Sequence, residues 1–142
     1  MKSKTEQIRA ILAGNTFRWA VNQLQPDETI NEKRYSDFIS VAPDEVEEYV
    51  REHGFPQHSV EVIYKGQGVF AEDKLCIVES PPGWDVFYIE RGHRSDESSF
   101  LSLDEARREV IRRMIETAKI ELNHRYRNAH PELNLPRPSE MD

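Results

Sequence analysis

The hydrophobic period of this chain changes near residue 60 and changes back near residue 102, and that switch limits the fold more than any other feature. From residue 59, SVEVIYK alternates, with Val60, Val62 and Tyr64 on one side and Glu61, Ile63 and Lys65 on the other. Further on, WDVFYIER (residues 84–91) sets Trp84, Val86 and Tyr88 on one face and Phe87 and Ile89 on the opposite face. Apolar residues on both faces suit a central strand, or a sheet covered by helices on more than one side. Gly66-Gln67-Gly68 and Pro81-Pro82-Gly83 punctuate these runs, and Glu72-Asp73 marks a bulge or a further turn in VFAEDKLCIVES (residues 69–80). Three or four strands joined by short turns read as an antiparallel meander.

Helical spacing frames this middle on both sides. In residues 5–24, Ile8, Ile11, Leu12, Trp19, Ala20 and Leu24 recur at intervals of three and four. Gly14-Asn15-Thr16 breaks the segment, with Thr16 as a candidate N-cap for the second piece. Residues 29–41 have no clear period, although Tyr35, Phe38 and Ile39 fit a short helix. Ala42-Pro43-Asp44 precedes another helical stretch, EVEEYVREHG, carrying Val46, Tyr49 and Val50 on one face, and Gly54 stops it. The longest helix starts at Ser102, with Glu105 three residues later in capping-box spacing. Leu103, Ala106, Val110, Met114 and Ala118 form its stripe, flanked by Ile111, Ile115 and Leu122. The sequence therefore predicts an α+β fold of N-terminal helices, a three- to four-stranded antiparallel sheet and a long C-terminal helix packed on the sheet. Residues 1–127 read as a single domain and residues 128–142, with three prolines, as a tail.

The 142 residues suit one core. No apolar run approaches the roughly 20 residues that span a bilayer, and the N-terminus lacks a signal-peptide stretch. The single Cys76 excludes an internal disulfide and suits a reducing compartment, so a cytoplasmic protein with no membrane partner is expected. The net charge of −7 is uneven: residues 1–26 carry +3, residues 27–61 carry −7 and residues 62–142 carry −3. The acidic block would repel a phosphate backbone and attract a basic protein surface.

Catalytic signatures are sparse. The glycines form neither a P-loop nor a dinucleotide fingerprint, and Gly66-Gln67-Gly68 reads as a hairpin turn because no helix follows it. His53 and His58 have no third or fourth ligand at short spacing, so no metal and no cofactor is expected. Glu90, Arg91 and His93, with Arg94, combine a base, an acid and phosphate-binding cations, the side chains a metal-independent nuclease needs. Strand alternation turns Glu90 and Arg91 apart, and Asp96 and Glu97 oppose a bound phosphate. Residues 104–127 hold seven basic and five acidic side chains, which is a self-pairing face rather than a nucleic-acid footprint.

The run WDVFYIERG (residues 84–92), followed by Phe100, Ser102, Glu105 and Ala106, resembles a pattern in small bacterial immunity proteins. These accompany polymorphic toxins, including those of contact-dependent growth inhibition systems. In them a W-x-V-aromatic-Y-x-E-R-G strand leads through a short loop and a phenylalanine to a helix opening with E-A. The resemblance covers roughly residues 60–116; Arg107 replaces a small or Cys residue, and residues 1–55 have no counterpart. It implies a non-catalytic antitoxin whose partner is a cognate toxin domain. Toxic nucleases are commonly basic because they hold a phosphate backbone. Asp44, Glu45, Glu47, Glu48 and Glu52 are therefore expected to face the toxin, with Tyr49 or Tyr35 as aromatic anchors. The alternatives are a small nuclease or phosphodiesterase using Glu90, Arg91 and His93, and a non-catalytic adaptor subunit.

Overall fold

The computed structural model describes residues 1–68 and 73–142. The fold is α+β, in the element order α1 (Lys4–Ala13), α2 (Thr16–Val21), α3 (Tyr35–Phe38), α4 (Pro43–His53), β1 (Val60–Ile63), β2 (Lys74–Ser80), β3 (Gly83–Glu90), β4 (His93–Phe100) and α5 (Leu103–Ala129). Two compact units share the chain: Met1–Val46 with Arg113–Asp142, and Glu47–Arg112.

In the first unit, Ser3 caps α1 by accepting the Glu6 N–H at 3.3 Å, and Gly14 ends it at φ 73°. Glycine enters that left-handed conformation without a Cβ penalty. The break expected at residues 14–16 is present, but Asn15 occupies the N-cap of α2. The buried Thr16 hydroxyl instead donates to Glu121 Oε2 at 2.8 Å. Two buried amides organise the rest of this unit. Gln7 Oε1 accepts the Ser40 and Val41 N–H groups at 2.7 and 3.3 Å, while its Nε2 donates to the Lys2 carbonyl at 2.9 Å. Asn123 Oδ1 accepts the Tyr35 N–H at 2.8 Å, and its Nδ2 donates to the Pro138 and Met141 carbonyls at 3.0 and 3.1 Å. The proline-containing end thus folds back onto α5 through Asn123, with Met141 buried. The ambiguous residues 29–41 resolve into a 3₁₀ turn at Ile30–Glu32 and the short helix α3.

The second unit holds the sheet, ordered β1-β2-β3-β4. β2 with β3 and β3 with β4 are antiparallel, but β1 runs parallel to β2, with Val60 opposite Leu75 and Ile63 opposite Val78. The sheet is therefore mixed, because alternation reports faces and is silent on strand direction. Gly66, at φ 87°, does form a turn, closed by the Gln67 N–H on the Tyr64 carbonyl at 3.0 Å. That turn begins a return connection instead of a hairpin. The expected break at Glu72-Asp73 falls partly outside the described residues; Asp73 has φ 39°.

β3 is central and buried on both faces, as its sequence implied: Val86 and Phe87 are fully buried. Cys76, Phe87 and Ile89 form one cluster, with Val78 packed against it. β4 is a strand where a short loop was expected. HRSDESSF lacks apolar alternation, since β4 is an edge strand with little to bury. Its register slips opposite Phe87, between the Val86–Ser98 and Tyr88–Ser95 pairs, where Asp96 takes φ 53°. Two residues facing one make this a β-bulge. Ser102 Oγ accepts the Glu105 N–H at 3.1 Å and caps α5. The first ten residues of α5 pack on the sheet, burying Ala106, Val110 and Ile111.

Candidate protein-docking surface

The residues expected to meet a partner fall into distinct environments. Tyr35 is an interior residue, 7% exposed, with the Lys119 ammonium 5.5 Å from its ring centre. Burial pushes its phenol up to about 12, and it offers no ring face as an anchor. Glu45 accepts the Ala42 N–H at 3.0 Å and pairs with Lys4 Nζ at 2.9 Å. The Lys4 hydrogen bond, then the Ala42 one, hold its carboxyl below the ordinary value. Asp44, exposed in the first turn of α4, places Oδ1 3.1 Å from the Glu45 N–H, where a carboxylate suits the positive end of the helix dipole.

In the second unit, Glu47 is committed internally. Its Oε1 lies 2.7 Å from Arg108 Nε and 3.3 Å from an Arg51 guanidinium nitrogen. This bond raises the Arg108 guanidinium above its usual value. Arg51 and Arg107 extend the network to Asp104, at 4.0 and 3.4 Å. Glu48 and Glu52 are exposed one helical turn apart, and Glu52 lies 3.7 Å from His53 Nε2. Tyr49 is half-buried, its ring 4.4 Å from that of His53. Of the seven residues, Asp44, Glu48 and Glu52 recur every four positions on α4 and are exposed, and Tyr49 is the accessible aromatic.

Glu90, Arg91 and His93 sit at the tip of the β3–β4 hairpin, all exposed. Glu90 and His93 are direct cross-strand partners, while Arg91 takes φ 50° and Gly92 φ 80° between them. Positive φ at both central residues is the signature of a type I′ turn. The Arg91 N–H donates to Asp73 Oδ1 at 3.1 Å. Among the described residues, no group of three or more His, Cys, Asp or Glu is placed to hold a metal ion. No described helix is long and apolar enough to cross a membrane.

A second surface at the Pro81-Pro82 end of the sheet was not anticipated. The Trp84 ring meets that of Tyr64 edge-to-face at 5.7 Å, and Tyr64 is 50% exposed. A groove of about 420 Å³ there is lined by Pro81, Pro82, Trp84, Phe100 and Leu101, among others. Leu101 is 78% exposed. Alternation put Trp84 with the core residues Val86 and Tyr88; the adjoining Pro-Pro-Gly was the available sign that this end of β3 emerges from the core. No protein-family model, curated protein or solved structure matches the chain.

Proposed function

We propose that this protein is an immunity protein, an antitoxin that binds a basic bacterial toxin domain in the cytoplasm and covers its active site. The observation that carries the reading is the spacing of Asp44, Glu48 and Glu52 along α4, with their carboxylates exposed while Glu45 and Glu47 are paired within the chain. Exposed like charges one turn apart weaken an isolated helix, so a stripe of this kind suits a partner of opposite sign. The resemblance of residues 84–92 and of the helix opening at Glu105-Ala106 to immunity proteins supplies the class of partner.

The test is co-expression with the toxin domain encoded by the adjoining gene. Growth rescue and a complex that weakens with salt are expected, and converting Asp44, Glu48 and Glu52 to lysine should weaken it by at least about tenfold. Affinity unchanged between low and high salt would remove the electrostatic basis. Cleavage of RNA by the purified chain, lost in His93→Ala, would replace this reading with the nuclease one.

A further inference from the structure

One end of the sheet carries a row of side chains that no step of the proposed function uses. Trp84 on β3 is the direct partner of Glu79 on β2 and of Phe100 on β4. Tyr64 follows Ile63, whose partner is Val78, and therefore reaches the same level as Glu79. Residues directly opposite on neighbouring strands share a face. With Tyr64 one residue past the end of β1, the row across β2, β3 and β4 thus reads Tyr64, Glu79, Trp84, Phe100: three aromatic rings and one carboxylate. All four are at least partly open to solvent, whereas Val86 and Ile77, two positions further in on the same face, are fully buried.

The rings of Tyr64 and Trp84 meet across the strand that carries Glu79. One carboxylate oxygen, Oε1, accepts the Lys65 N–H at 2.9 Å, which fixes the side chain of this row position. Aromatic faces attract a cation through their quadrupole, indole most strongly, and a carboxylate within the same row adds a full charge. A purely apolar partner would leave that carboxylate desolvated against it, which is unfavourable. The charge complementarity selects a cation, and the flat ring surfaces select a planar one.

We propose that the Tyr64–Glu79–Trp84–Phe100 row is a binding site for an arginine side chain of a protein partner, with the guanidinium against Trp84 and Glu79 and its stem along the groove walled by Pro82 and Leu101. Arginine combines a delocalised planar charge, weak hydration and a long apolar stem, and so matches these features better than an ammonium does. The site is independent of α4 and does not require the partner to be a toxin.

The test titrates the ¹⁵N-labelled full chain with Nα-acetylarginine amide, its neutral isostere Nα-acetylcitrulline amide, and Nα-acetyllysine amide. Saturable shifts of the Trp84 indole N–H and of the Gly83 and Leu101 amides are expected with the arginine compound, and much weaker ones with the other two. Glu79→Gln keeps the acceptor for the Lys65 N–H and should weaken arginine binding by about tenfold. Tyr64→Leu, at a half-exposed position, should weaken it as well. Equal binding of citrulline, or no effect of Glu79→Gln, overturns the charge-directed site. Equal binding of lysine overturns the assignment to a guanidinium, and shifts confined to α4 overturn the location.

Discussion

Arg108 Nε lies 2.7 Å from Glu47 Oε1, and this bond ties α5 to α4 across 61 positions of sequence. Glu47 therefore spends its charge on its own fold, although it sits among acids that read as one surface in the sequence. Glu47→Gln is expected to lower the thermal midpoint modestly and leave partner affinity within about twofold. Glu48→Lys with Glu52→Lys should do the reverse, sparing stability and weakening the complex. Thermal unfolding beside binding titrations separates the two roles.

Gly83 is required by space. A Cβ there would run into the Phe100 carbonyl, because β4 crosses close to the start of β3. Backbone cannot yield as a flexible side chain can, so Gly83→Ala is expected to cost about 2 kcal/mol. Urea unfolding reads the loss, and the Trp84 indole resonance should move with it.

Asn123 is fully buried and serves three backbone groups at once, from Tyr35, Pro138 and Met141. Asn123→Ala leaves the Tyr35 N–H without this acceptor and the two carbonyls without this donor. A loss of about 2–3 kcal/mol is expected. Faster amide exchange at Met141 would show the C-terminal residues released before global unfolding. Asn123→Leu should not rescue stability, because what is lost is the polar partner.

The contrast between helices and sheet explains what was legible. The α5 stripe is buried at Ala106, Val110, Met114, Ala118, Ile111 and Leu122 as its spacing implied, because a 3.6-residue period identifies one face without reference to other elements. Parallel pairing of β1 with β2 was not legible, because a period of two is the same in either direction. β4 was missed because an edge strand need not be apolar. On the candidate surface, the acids of α4 were readable as a group. Which of them pair with distant residues was not, since Lys4 and Arg108 lie 41 and 61 positions from Glu45 and Glu47.

Arg91 is an unusual choice for the first position of its turn. At φ 50° it occupies a region that an L side chain enters at a cost of about 1 kcal/mol, while Gly92 supplies the second positive φ freely. Arg91→Asn creates the Asn-Gly pair that type I′ hairpins favour and should stabilise the chain by about 0.5–1 kcal/mol. The bond to Asp73 Oδ1 uses the backbone N–H of residue 91 and survives the change. A higher urea midpoint with unchanged slope is the expected result.

Tyr35 sets an alkaline limit on stability. Burial raises its phenol to about 12 in the native chain, while an unfolded tyrosine titrates near 10. Below about pH 10 both states keep the proton and Tyr35 adds no pH dependence. Between about 10 and 12 the unfolded chain releases a proton that the native chain retains, so the unfolded state binds fewer protons and stability falls as pH rises. Tyr35→Phe removes this contribution, because phenylalanine has no proton to lose. Urea midpoints collected from pH 8 to 11.5 should decline in the wild type above pH 10 and decline less in Tyr35→Phe. Parallel curves for the two proteins would show that the phenol ionises in the native state as readily as in the unfolded one.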